Sequence, residues 1–182
     1  MRVFFIADSH FSHTNILRFC ERPFKNTQEH DETLIENWNN TVGKNDLVYH
    51  LGDFCFGTGT NAQDALRYFE QLNGKIIMIT GNHDRHARRI KERFYQWHEG
   101  MHEAKIRGDK IVLCHYPLLS WNAACHGRPH LFGHCHSGPK KKIIHQPNSY
   151  DVGVDNNNFT PISYEEVLIK LEETKKLPLL GN

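Results

Sequence analysis

Five short apolar runs, each handing over within a few residues to aspartate, asparagine or histidine, constrain this chain more than any other feature. Val3–Ala7 leads into Asp8 and His10, and Leu47–Leu51 leads into Asp53. Ile76–Thr80 leads into Asn82, His83 and Asp84, Ile111–Cys114 into His115, and Leu131–Phe132 into His134 and His136. Short Val/Ile/Phe-rich runs bounded by turn residues read as strands covered on both faces. In open α/β sheets ligands bind beyond the carboxyl ends of the strands, so the five loops are expected to converge on one crevice.

Between the runs the period changes from two to about 3.6. Leu34, Trp38 and Val42 fall four apart, and Ala62, Ala65, Leu66, Phe69 and Leu72 follow at three and four, which predicts two helices with core-facing stripes. Thr60 with Gln63 and Ser163 with Glu166 have capping-box spacing, the second opening a helix over Tyr164–Leu171. Further strands are expected near Glu103–Arg107, Ile143–His145 and Ser149–Val152, with Gly108-Asp109 as a hairpin turn and Thr174–Asn182 as a loose tail. Strand and helix interleave, so the fold class is α/β.

With 182 residues, 38% hydrophobic and 24% charged, and no repeat or linker, the chain is expected to form one domain over 1–182. No apolar run approaches the roughly 20 residues of a membrane helix, and the first run is shorter than a signal-peptide core of about 7–15 residues, so a cytoplasmic protein with no membrane partner is expected. A net charge of +1 argues against a nucleic-acid wrapper unless charge is clustered. Five cysteines without a C-x-x-C pair argue against a disulfide framework or a thiolate zinc site. Fourteen histidines, by contrast, are a large supply of metal ligands and acid-base groups.

The strand-end inventory is two Asp, one Asn and four His: Asp8, His10, Asp53, Asn82, His115, His134 and His136. Seven ligands exceed the four of a single tetrahedral zinc and suit two ions sharing a carboxylate. Imidazole mixed with carboxylate favours two divalent transition-metal ions, manganese first, with iron, nickel, cobalt or zinc as alternatives. Asp8 and His10, like His134 and His136, are two apart, so in an extended segment each pair would point to one side. Next to Asn82, His83 is the candidate general acid, with Asp84 orienting its ring.

In order, D-x-H (Asp8 to His10), G-D (Gly52-Asp53), G-N-H-D (Gly81 to Asp84), the isolated His115 and G-H-x-H (Gly133 to His136) resemble the calcineurin-like metallophosphoesterase superfamily. The resemblance runs from position 8 to 136. It implies a two-sheet αββα sandwich and a phosphohydrolase that uses a metal-activated hydroxide, with His83 in its acid role. It also implies that Asp8, His10, Asp53 and His136 hold one ion and Asp53, Asn82, His115 and His134 the other. No insertion is long enough for a specificity cap, which points to a small phosphoester or nucleotide as substrate of a phosphodiesterase.

Weaker signals border these motifs. His13, Arg18 and Arg85 are candidate substrate-binding residues, and the basic stretches Arg85–Arg93 and Pro139–Lys142 keep nucleic acid, as the substrate of a nuclease or end-processing enzyme, as the alternative. A non-catalytic scaffold of the same fold ranks lower, since such a site would be expected to lack ligands or the turn histidine. His30, His98, His102, His126 and His145 read as surface or packing residues. Gly57–Ala62 fits a loose G-x-G-x-x-A dinucleotide pattern, set aside because Asp84, near the distance of the acidic partner, belongs to a better motif.

Overall fold

The computed structural model describes residues 1–56, 63–138, 141 and 146–176. Strands β1 (Val3–Ile6), β2 (Leu47–His50), β3 (Lys75–Ile79) and β4 (Gln96–His98) run parallel, and β9 (Ile162–Ser163) closes the edge antiparallel to β1, giving the order β4-β3-β2-β1-β9. A second sheet, ordered β5-β6-β7-β8, comprises β5 (Met101–Ile106), β6 (Asp109–Cys114), β7 (His130–Phe132) and β8 (Ser149–Asp151).

The strand period of two sorts the side chains into layers. Phe5, Tyr49, Leu51, Ile77 and Ile79 meet Ile111, Leu113 and Leu131 between the sheets. Phe4, Ile6, Val48, Ile76 and Met78 face the other way, toward α2 (Thr27–Thr41) and α3 (Gln63–Phe69). The expected stripe of Leu34, Trp38 and Val42 fills that interface, with Trp38 1% exposed. The last helix, α4 (Tyr164–Thr174), starts at the expected capping box: Ser163 Oγ accepts from the Glu166 N–H (3.2 Å), and Glu166 accepts from the Ser163 N–H (2.9 Å). The architecture is the expected α/β sandwich, two sheets flanked by helices.

Differences from the sequence reading are local. The hairpin between β5 and β6 turns on Arg107 and Gly108, both at positive φ (52° and 103°), because Ile106 pairs with Asp109; this is one residue earlier than expected. Short α1 (Thr14–Phe19), β4 and β9 carry too few residues to show a period. The strand expected at Ile143–His145, the glycine-rich pattern at Gly57–Ala62, and Thr60 of the first capping box lie outside the described residues. Helix α4 runs on to Thr174, where the tail was expected to start. No helix among the described residues is long and apolar enough to cross a membrane.

The sheets meet at the carboxyl ends of β1 and β8. The Ala7 N–H donates to Val152 O (3.1 Å), and the Val154 N–H donates to Ala7 O (3.1 Å). Gly133, after β7, reaches this seam: a Cβ there would stand 2.5 Å from Ala7 Cβ and 2.7 Å from Asp8 Oδ2. Only glycine permits that approach, and it delivers the loop after β7 to Asp8.

Candidate metal centre

Asp8, His10, Asp53, His134 and His136 all have positive φ, between 49° and 67°. A non-glycine residue in this region costs about 1–3 kcal/mol, and such strain concentrates where a side chain must be aimed. The turns also change the geometry inferred from spacing. His134 and His136 are not in extended segments, and they diverge into two clusters. Asp8, His10 and His136 form the first and Asp53, His115 and His134 the second, the ligand atoms of each lying within 4.8 Å of one another.

One oxygen joins the clusters. Asp53 Oδ2 lies 3.4 Å from His10 Nε2 and 3.5 Å from His115 Nε2. Donors bound tetrahedrally at about 2.0–2.2 Å around one ion stand roughly 3.3–3.6 Å apart, so both spacings suit shared ligation. Asn82 Oδ1 sits 3.0 Å from His115 Nε2, at the exposed side of the second cluster. The residues fit divalent ions on a further observation: His10 Nε2 is buried, faces a carboxylate and has no hydrogen-bond partner among the described residues.

Neighbouring groups fix which ring nitrogen points inward. His115 donates Nδ1–H to Leu51 O (2.8 Å), leaving Nε2 toward Asp53. His136 Nδ1 meets Asp155 Oδ2 at 2.8 Å. Arg22, whose side chain is fully buried, grips Asp155 through Nε and Nη2 (both 2.8 Å) and donates to the carbonyls of Asp8 (2.8 Å) and Ser9 (3.3 Å). Behind it, Arg22 Nη1 meets His30 Nε2 at 2.8 Å, and His30 Nδ1 meets Asp31. Asp31 in turn accepts from the Ser12 N–H and the Tyr68 hydroxyl. His30 therefore belongs to a buried network that braces the strained D-x-H turn, a more specific place than surface or general packing.

The charge balance draws cations. Burial pushes Asp8 up to about 7, with Asp151 and Asp53 adding to it against the pull of His136 and His115. Burial also disfavours charge on His115 and His136, yet Asp53 and Asp8 raise His115 to about 9, and Asp155, Cys20 and Asp8 raise His136 to about 10. Burial would lift Asp53 too, but the His115 and His10 rings and the His83 N–H outweigh it and hold the carboxylate well below its ordinary range. Burial instead lowers His10 and His134, leaving them neutral donors, and the carboxylate field that raises the proton affinity of His115 and His136 also attracts a metal ion, whose binding releases the proton.

The remaining expected residues are redistributed. His83 is half-buried at the mouth, its ring centroid 5.5 Å from that of His10 and 5.3 Å from that of Phe56. Asp84 does not orient it: both carboxylate oxygens are taken by the backbone N–H groups of Asp53 (2.9 Å), Phe54 (2.8 Å) and Gly81 (2.6 Å), which clamps the G-D loop to the G-N-H-D turn. His13, expected to touch substrate, is buried between His10, whose Nδ1 lies 3.3 Å from its own, and Phe56. Arg18 lies exposed on α1 with its guanidinium over Phe19, and Arg85 sits against the ring of His86, so neither is drawn into the clusters. In the basic stretch after the turn, Arg88 pairs with Glu99 and Arg93 with Glu70, as a solvated surface would.

Sequence reasoning missed Arg22, Asp155 and Tyr116, whose hydroxyl is 3.4 Å from Asn82 Oδ1. Asp155 carried a usable signal, an acid directly after Val152-Gly153-Val154, whereas Arg22 carries none.

A family model described as calcineurin-like phosphoesterase matches residues 1–169. An uncharacterized protein of Methanocaldococcus jannaschii is 34% identical over 185 residues, covering 97% of this chain and 94% of its own length. The Gene 66 protein of Mycobacterium phage D29 is 30% identical over 178 residues, 84% of this chain and 87% of its own. The crystal structure of a protein of unknown function from Aquifex aeolicus superposes with a TM-score of 0.72 at 25% identity, covering 93% of this chain and 98% of that one.

Proposed function

Because the chain belongs to the calcineurin-like phosphoesterase family, whose members hydrolyse phosphoesters with divalent metal ions, we propose that it is a dinuclear phosphodiesterase acting on a nucleotide or another small phosphoester. The observation that carries this reading is the position of Asp53 Oδ2 between His10 and His115, one acceptor common to two ligand clusters. Asp8, His10, Asp53 and His136 would hold one ion; Asp53, Asn82, His115 and His134 would hold the other. When bound, such ions activate water and neutralise charge developing on phosphoryl oxygens.

The protein's own groups supply position and a proton. The strained turns and the Arg22 network hold the donors in place before substrate arrives, so no reorganisation is needed during the reaction. His83, beside Asn82 and at the open side of the first cluster, is placed to give a proton to the departing alkoxide oxygen. Asp84 serves that step by fixing the turn that carries His83.

Metal-stripped protein, with Mn, Ni, Co, Fe, Zn or Mg restored separately, tests this reading on bis(p-nitrophenyl) phosphate and p-nitrophenyl phosphate. Metal-restored hydrolysis of the diester, abolished in Asp53→Ala, is the expected result. His83→Ala should keep both metals and lose about 10²-fold or more on diesters with poor leaving groups. Equal turnover of such a diester by the variant would remove the acid role. No hydrolysis by protein holding two ions would favour the scaffold.

A further inference from the structure

We propose that Phe56 is the platform on which the base of a nucleotide substrate stacks, which would make this chain selective for phosphoesters that carry a nucleobase. The inference rests on the phosphodiesterase reading and adds a specificity residue to it.

Phe56 sits at the end of the G-D loop, held by its N–H donating to Phe11 O (2.9 Å), next to the bridge between Phe11 and Cys55. One face is covered by His13, with ring centroids 3.9 Å apart and planes 15° from parallel. The residue is nevertheless 36% exposed, so its exposure belongs to the other face and the edge. The open side of the ring stands beside the polar cluster, where it offers an aromatic face to a ligand held there.

Its neighbour gives the direction. Phe56 stands edge-on to His83, with centroids 5.3 Å apart and planes at 63°. If His83 protonates the departing oxygen, the group attached to that oxygen leaves on the His83 side, beside the edge of Phe56, within reach of its open face. A base lying there extends the His13–Phe56 stack by one ring. Tyr116, also exposed among the described residues, stands on the side of the second cluster, edge-on to His115 and His134 with its hydroxyl 3.4 Å from Asn82 Oδ1. A flat, polarizable ring on a fixed loop suits bases in general, because every base has a π-face, and predicts weak discrimination among them.

The test compares calorimetric binding of two non-hydrolysable phosphonates, the analogues of adenosine 5′-monophosphate and ribose 5-phosphate, to the manganese-loaded protein. Stacking on one aromatic ring corresponds to roughly a 5- to 150-fold difference, so the adenosine analogue should bind at least about 5-fold more tightly. Phe56→Leu should bring the ratio close to one, and Phe56→Trp should preserve it. A structural role alone would weaken both ligands equally and leave the ratio intact, which would overturn the proposal. So would a wild-type ratio near one, or a ratio lost in Tyr116→Leu but kept in Phe56→Leu. Turnover of bis(p-nitrophenyl) phosphate by the same preparation separates the two levels. With turnover present and the ratio near one, only the Phe56 platform falls; with neither turnover nor phosphonate binding, the phosphodiesterase reading falls with it.

Discussion

Replacing Gly81 by alanine isolates the close approach on which the ligand geometry depends. Gly81 does not sit at positive φ, so alanine meets no backbone penalty there and the effect of the substitution is steric. The added Cβ would stand 2.4 Å from Asp53 Oδ1, 2.8 Å from Asp53 N and 2.9 Å from His115 Cε1. The first contact is about 1 Å short of ordinary van der Waals separation. Asp53 and His115 are buried, and the Gly81 and Asp53 N–H groups share one Asp84 oxygen, so the loops cannot simply move apart. Overpacking of this kind costs about 1–3 kcal/mol, a fall of roughly 3–8 °C in Tm for a chain of this length. Displacing a shared ligand by about 1 Å should lower turnover about 10²-fold and metal affinity by about 10- to 100-fold. Thermal melts, manganese calorimetry and diester hydrolysis read the three effects. Normal metal binding and turnover in a folded Gly81→Ala protein would refute the claim that this turn abuts Asp53.

Two further outcomes follow from buried polar groups. Asp84→Asn sets an amide N–H against at least one of the three backbone N–H donors that Asp84 accepts, so Tm measured at pH 8 should fall by about 3–8 °C for roughly 1–3 kcal/mol; a Tm unchanged alongside reduced turnover would restore Asp84 to the role of orienting His83. Burial pulls His130 down to about 4 while it bridges Val112 O and the Leu118 N–H, so below about 6.5 the unfolded chain takes up a proton that the folded one refuses. Stability from this group is complete above pH 6.5 and lost as pH falls toward 4, by at most about 3 kcal/mol, and His130→Gln should flatten that part of a urea-denaturation profile.

The residues that gather in the two clusters were readable because each follows an apolar run, and a strand end in an α/β fold is a place rather than a direction. Direction was not readable. Parity placed His134 and His136 on one side, but parity holds only for extended backbone, and both residues sit in left-handed turns that send them to different clusters. Asp84 was located correctly and given the wrong partner, since adjacency cannot say whether a carboxylate meets a neighbouring ring or the N–H groups of a loop 30 residues away. Arg22 and Asp155 stand 133 positions apart and meet only because β1 and β8 close the seam beside Asp8. Strands of two or three residues, such as β9 and β4, lack the length to show alternation and owe their structure to β1 and β3 beside them.

The central claim is that two ions share Asp53. Anomalous diffraction from a manganese-loaded crystal, paired with metal analysis of the dissolved protein, tests it directly. The account predicts two ions per chain, one ligated by Asp8, His10 and His136 and the other by Asn82, His115 and His134, both within bonding distance of the Asp53 carboxylate. A single ion, or two ions of which only one touches Asp53, would contradict it.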